Sequence, residues 1–219
     1  TLQIFPDSND YIRVDNVSVR ELPGNHATQA TTASRPILAR VPEGGRRNLL
    51  PIPTAWNTQL DVTILSGIAD PDGGVEAYSV EYTAGSSTSL DDTQSVVSGT
   101  TYTGSGKFRV TNGRWLRVFV AGVPVYFDAN NNFSTATTGT GFVSASATGL
   151  GGGWFALDIK CTAQVTGTAL NGAQVQDADG STGELINGKY EVFEFQVEEG
   201  STATAYHKNL DVTCKRWCE

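Results

Sequence analysis

The feature that most constrains this chain is a series of short segments in which apolar and polar residues alternate, each ended by turn residues. In residues 60–64, for example, apolar residues occupy every second position. The dipeptide Asn112-Gly113 is the strongest hairpin signal and predicts that residues 107–120 form a β-hairpin. About ten such strands, without a helical period, predict an all-β fold of two antiparallel sheets packed as a β-sandwich.

The composition agrees with this prediction and excludes several classes of function. The 219 residues include 24 Gly, and 17% are charged. A chain of this length can bury a sizeable core. The formal net charge of −8 argues against binding a polyanion through bulk charge, so no nucleic-acid partner is expected. No run of about 18 apolar residues is present, so no membrane insertion is expected.

Four regions differ in their sequence patterns. Residues 1–22 alternate and are interpreted as a strand, either the end of a preceding module or a strand donated elsewhere. Residues 23–53 are rich in Pro and Gly and contain no aromatic residue, which is typical of an extended arm or linker. Residues 54–207 are predicted to form the sandwich. Residues 208–219 form a Cys-containing C-terminal tail.

The arm is locally basic, whereas the chain as a whole is acidic. Two interpretations are open: a mobile tether, or an ordered arm that lies on a neighbouring subunit. Four large aliphatic residues are more than a solvated tether needs, which favours the ordered arm. The residues expected to make these contacts are Arg35, Ile37, Leu38, Arg40, Arg46, Arg47, Leu49 and Leu50.

The chain has three cysteines, Cys161, Cys214 and Cys218. A disulfide from Cys161 to either of the other two would attach the tail to the sandwich. The alternative is three reduced thiols. Their number and spacing do not suggest a zinc site, which needs about four ligands.

Catalysis has little support in the sequence, and the chain is predicted not to be an enzyme. The two histidines, His26 and His207, lie in the arm and near the tail, and no Gly-x-Ser-x-Gly motif is present. Most carboxylates follow turn patterns rather than forming a pair across a cleft.

Glycan binding is a stronger hypothesis, because sugars stack on exposed aromatic rings. The alternative is that these rings belong to the core. The candidate ligand-binding residues are Trp56, Tyr102, Trp115 and Tyr126, with Trp217 in the tail.

No cofactor is expected, with calcium as the single alternative. Asp177, Asp179 and Glu184 are weak calcium candidates because they offer hard oxygen ligands. Their spacing does not match a full calcium loop, and as turn residues they need no ion.

The C-terminal half carries a series of motifs that resembles a known family. The motifs are Val125–Asp128, Gly149–Phe155, Asp177–Gly180 and Phe195–Tyr206. In this order and spacing they resemble the carbohydrate-binding-module-like jelly rolls of bacteriophage tail and other virion structural proteins. The resemblance covers residues 102–207, and Val14–Arg20 is similar to the last strand of such a module.

This resemblance implies a jelly-roll topology and a non-enzymatic role in a phage virion, as a tail fibre, a tail tip or a capsid fibre or decoration. The expected partners are copies of the chain, other virion proteins and a host surface glycan. The expected location is the surface or tail of the extracellular particle. The alternative is a carbohydrate-binding module of a secreted or cell-surface protein.

Overall fold

The structure, a computed structural model, describes residues 48–50, 58–83, 89–183 and 185–206. The described part is all-β and contains twelve strands and one short 3-10 helix, Ala129–Asn131. The predicted strand at 1–22, most of the arm and the tail lie outside the described residues.

The strands form two antiparallel sheets of six. The first sheet has the order β1-β4-β11-β6-β7-β8 and the second β2-β3-β12-β5-β10-β9. In chain order the strands are β1 Thr58–Leu60, β2 Val62–Ile68, β3 Ala77–Tyr82, β4 Ser89–Val96, β5 Thr101–Asn112, β6 Trp115–Val120, β7 Val123–Asp128, β8 Ser134–Thr138, β9 Phe142–Gly151, β10 Trp154–Thr162, β11 Gly167–Gln176 and β12 Lys189–Glu199.

The core lies between the two sheets and follows from the alternation in the sequence. On β6 of the first sheet, Leu116, Val118 and Val120 are fully buried. They belong to one cluster with Phe108 and Ile159 of the second sheet. The predicted fold class, two antiparallel sheets packed as a β-sandwich, is confirmed.

The predicted hairpin at Asn112-Gly113 is wrong. These residues connect β5 in the second sheet to β6 in the first, so the two strands do not pair with each other. Gly113 is needed here because its φ is 126° and a Cβ would lie 2.4 Å from Cγ1 of Val175. A tight turn of this kind is encoded locally, whereas the strand it leads to is chosen by packing.

A two-residue hairpin occurs instead at Ala121-Gly122, between β6 and β7. Both residues have positive φ, 52° and 80°, as a turn matched to the twist of the flanking strands requires. The turn signal at this position is weaker because alanine seldom adopts this conformation.

Residues 48–50 complete the second sheet of their own chain. The Leu49 amide donates to the Val197 carbonyl (2.7 Å), and the Val197 amide donates to Oδ1 of Asn48 (3.3 Å). This stretch of β12 lies beyond residues 189–192, where β12 pairs with β3. Leu50 is fully buried in the core and Leu49 packs against it.

The structure thus places Leu49 and Leu50 against the core of their own chain, and their expected contact with a neighbouring subunit stays a prediction. Their apolar side chains stabilise the sandwich itself, because they cover the part of β12 that β3 does not reach. The other predicted arm contacts, Arg35, Ile37, Leu38, Arg40, Arg46 and Arg47, lie outside the described residues.

Two buried tyrosines of the second sheet bind one carbonyl of the first. The hydroxyls of Tyr82 and Tyr190 both donate to the Ala173 carbonyl, at 3.0 and 2.8 Å. Pairing of β4 with β11 ends at Gly172, one residue earlier. Burial raises the pKa of Tyr190, so its hydroxyl remains a donor at neutral pH.

We expect Tyr82→Phe and Tyr190→Phe to destabilise the fold by about 1 kcal/mol each. The double variant should lose more than the sum of the two, because only then does the buried Ala173 carbonyl lose both donors. Urea unfolding of the two single variants and the double variant measures this coupling. Additive losses would show that the shared acceptor does not link the tyrosines.

Candidate functional site

A groove of about 300 Å³ crosses the outer face of the second sheet. Strands β5, β9, β10 and β12 form its floor, and residues 203–206, which follow β12, form one wall. The polar groups of the groove come from Ser105, Lys107, Ser146, Thr148, Asp158, Glu194, Gln196, Thr204 and Tyr206.

The strand register explains why these residues meet. Asp158 of β10 lies opposite Ser105 on one side and Ser146 on the other, and Ser105 lies opposite Gln196. These four residues form a row across four strands. Directly paired residues of neighbouring strands share a face with their Cβ atoms about 5 Å apart, so the row is a continuous polar strip.

The groove is a depression because the floor residues are small. The neighbouring row contains Ala156, which lies opposite Lys107 and Thr148. Serine and alanine side chains leave room above the sheet, whereas Lys107 and Tyr206 rise beside it. The floor therefore offers hydroxyl groups and one carboxylate at the bottom of an open cleft.

A β-bulge on β12 directs Glu194 into the groove. Phe193 pairs with Lys107 and Gln196 with Ser105, so Glu194 and Phe195 together oppose a single residue, Gly106. Glu194 has a φ of 53°, a strained conformation for this residue type. A Cβ on Gly106 would lie 2.9 Å from Cα of Phe195, which explains the glycine.

Lys107 is held by two carboxylates. Its Nζ lies 2.5 Å from Oδ2 of Asp72 and 2.9 Å from Oε2 of Glu194, and 4.9 Å from the centre of the Phe193 ring. The pKa of Lys107 is raised: its burial opposes this shift, and hydrogen bonds to Asp72 and Glu194 outweigh the burial. The only lysine of the groove is thus charged and already paired.

The wall is attached to β12 through Glu198, which is fully buried. Its Oε2 accepts from the Thr204 amide (2.9 Å) and its Oε1 from the Thr204 hydroxyl (2.5 Å). The Gln196 side-chain amide donates to the Thr204 carbonyl (2.8 Å). These bonds fix the position of Tyr206, whose pKa is raised to about 12 by burial and by the charge of Glu194.

Asp158 differs from the other acids of the groove. It is half-buried and forms no hydrogen bond or ion pair with any residue that the structure describes. Both carboxylate oxygens can therefore accept hydrogen bonds from a ligand. Together with the serines beside it, Asp158 makes the floor suited to a molecule with several hydroxyl groups.

Two of the candidate ligand-binding aromatics are not exposed, so their proposed role in stacking on a sugar is wrong. Tyr102 and Tyr126 are 2% and 4% exposed. The Tyr102 hydroxyl accepts from the Val97 amide (3.0 Å), and the Tyr126 hydroxyl donates to the Ser181 carbonyl (2.5 Å). Both rings can be buried because their hydroxyl groups form hydrogen bonds inside the protein.

The other aromatic candidates lie elsewhere. Trp115 is half-buried on the first sheet, and the Arg114 guanidinium covers its ring at 4.5 Å. Arg114 is held there by Asp128, to which its Nε and Nη2 donate at 2.9 and 2.6 Å. Trp115 therefore belongs to the other sheet and does not line the groove. Trp56 and Trp217 lie outside the described residues.

Cys161 is a free and fully buried thiol of the core. Burial raises its pKa to about 12. A disulfide that joins Cys161 to the tail is thus not formed in the structure. Cys214 and Cys218 lie outside the described residues.

The calcium candidates behave as turn residues where the structure describes them. Oδ1 of Asp179 accepts from the Thr137 amide (3.1 Å), which holds the loop after β11 against β8. Asp177 precedes this loop, and Glu184 is outside the described residues. Within the described ranges, no group of three His, Cys, Asp or Glu side chains is placed to hold a metal ion.

Sequence reasoning missed the groove, although one signal for it was present. Gly104-Ser105-Gly106 interrupts an otherwise regular strand, and glycine inside a strand often marks a bulge or a close approach of another backbone. Asp158 gave no signal of its own, because a single acid on the polar face of a strand is ordinary.

No protein-family model matches this chain, and no curated protein sequence does either. In the part of the chain that the structure describes, there is no helix with the length and hydropathy that a membrane span requires.

Proposed function

We propose that this chain is a non-enzymatic structural protein of a phage virion, whose β-sandwich binds a glycan in the groove on the second sheet. The observation that carries the glycan-binding part is the row Ser105, Asp158 and Ser146, an open polar strip with a free carboxylate that ends at the buried Gln196. Carboxylates and hydroxyls are groups that proteins use to bind sugar hydroxyls.

The strand pairing supports a jelly-roll topology. β3 pairs with β12, β4 with β11 and β5 with β10, so the pairs are nested around the middle of the chain. A long antiparallel ribbon that rolls up across two sheets produces this nesting. The resemblance of residues 102–207 to virion jelly rolls is the basis for the virion role, with copies of the chain and other virion proteins as partners.

In this proposal the extended arm that contacts a neighbouring copy precedes Asn48, because residues 48–50 belong to the sandwich of their own chain. Repetition of weak contacts by symmetry would give strong attachment.

The groove also argues for binding without turnover. Hydrolysis of a glycosidic bond needs two carboxylates that are free to act across the bond. Of the two acids that line the groove, Glu194 is paired with Lys107 at 2.9 Å and Asp158 alone is free.

The test is affinity electrophoresis of the full chain in gels that contain a panel of soluble polysaccharides. We expect retardation by at least one of them, and we expect Asp158→Ala to weaken it by about tenfold or more, since hydrogen bonds to a charged group contribute about 1.5–3 kcal/mol. Glu199→Ala is the matched control, because it removes an exposed carboxylate of the same sheet outside the groove.

The outcomes separate the parts of the proposal. Equal loss in both variants, or no retardation by any polysaccharide, would overturn glycan binding in the groove. Release of reducing ends during incubation would overturn the non-enzymatic role. A monomer that binds polysaccharide but never attaches to particles would favour a carbohydrate-binding module of a secreted or cell-surface protein over the virion role.

A further inference from the structure

We infer that the groove selects a neutral polysaccharide and rejects anionic ones, with Asp158 as the residue that determines this selectivity. The inference rests on the proposed glycan binding and specifies its ligand class. It follows from the charges that face the groove and from the neighbours of Asp158.

The lining of the groove carries net negative charge. Lys107 is the one cation among the residues that line the groove, and Asp72 and Glu194 already neutralise it. Asp158 adds a negative charge without a partner in the described structure. Lys160 lies on the same face one row away, opposite Thr103 and outside the lining. A sugar carboxylate or sulfate in the groove would therefore meet net negative charge, and the lining itself offers no free cation to bind it.

The neighbours of Asp158 leave its carboxylate open to a ligand. Its cross-strand neighbours, Ser105 and Ser146, have the smallest hydroxyl side chains and cannot cover the carboxylate. An ionised carboxylate accepts hydrogen bonds only, through both oxygens. Two adjacent hydroxyls of a neutral sugar can donate to these oxygens, whereas an acidic group at the same place cannot.

The length of the polar strip indicates the size of the ligand. The accessible part of the row, Ser105, Asp158 and Ser146, crosses three strands, because Gln196 is buried beneath the wall. At about 4.8 Å between neighbouring strands this part is about 10 Å long. A strip of this length contacts more than one sugar unit. The ligand class is therefore an extended neutral chain, bound across the strands, and not a single charged sugar.

The experiment compares neutral and acidic polymers on the full chain and on Asp158→Asn. The neutral probes are dextran, mannan and hydroxyethylcellulose, and the acidic probes are alginate, polygalacturonate and hyaluronan. We expect a neutral probe to bind, with little change between low salt and about 0.5 M NaCl, because no ion pair is formed. Asp158→Asn should weaken this binding by about tenfold or more, since the amide replaces one acceptor by a donor. Glu199→Gln should leave it unchanged.

The readouts also distinguish selectivity for neutral polymers from glycan binding itself. Binding to acidic probes alone, or neutral binding that Asp158→Asn leaves unchanged, would overturn the inference and leave glycan binding intact. If no probe of either class binds, glycan binding itself fails. A thermal melt of each variant checks that substitution of Asp158 or Glu199 leaves the sandwich folded.

Discussion

Replacing Leu50 with alanine is expected to lower the free energy of unfolding by about 3 kcal/mol, the middle of the range for a buried leucine. Leu50 is fully buried and packs in the cluster that joins the two sheets. Its removal leaves a cavity that the rigid strands around it cannot close. In a chain of this size the melting temperature should fall by roughly 10 °C.

Urea unfolding of the wild type and of Leu50→Ala measures this loss. Leu65→Ala is the matched control, because Leu65 on β2 is 51% exposed and should change stability by less than about 0.5 kcal/mol. If Leu50→Ala kept full stability but dissociated an oligomer, residues 48–50 would belong to an intermolecular arm after all. The two interpretations therefore predict opposite readouts for the same substitution.

Glu198→Ala is expected to destabilise the protein by about 3 kcal/mol and to free the wall of the groove. The substitution removes the fully buried acceptor of the Thr204 amide and hydroxyl, so the part-buried amide loses its partner and the hydroxyl keeps only the Ala205 carbonyl at 3.4 Å. Residues 200–206 should become accessible to protease, and polysaccharide binding should weaken because Tyr206 loses its fixed position.

Denaturation, limited proteolysis and affinity electrophoresis of the same variant test this prediction. Glu199→Ala, one residue further along, removes an exposed carboxylate and should have no effect on any of the three. Unchanged proteolysis near residue 204 in Glu198→Ala would show that the wall is held by packing, without a contribution from this carboxylate.

The architecture could be predicted because alternation is a local property. Leu116, Val118 and Val120 occupy every second position, and a strand with one apolar face must bury that face against another sheet. The turn at Asp70 was predictable for the same reason. Oδ1 of Asp70 accepts from the amides of Asp72 and Gly74, both at 2.9 Å, within one short segment.

The functional residues were harder to predict because exposure is decided by distant neighbours. Tyr126 and Trp115 are residue types on which a sugar ring can stack. The loop after β11 places the Ser181 carbonyl on Tyr126, and Arg114 covers Trp115. Ser181 lies far from Tyr126 in the sequence, and Arg114, although it is next to Trp115, is held over the ring by Asp128 of β7.

The alternating strands and their packing as two antiparallel sheets follow from the residue pattern alone, because one polar and one apolar face per strand leave few other ways to exclude water. Which strands pair became known from the folded chain, in which Asp158 lies between Ser105 and Ser146 and Leu50 is part of the core. Strand pairing joins residues far apart in the chain, and the energy that selects the register arises when whole faces pack, which no local pattern records.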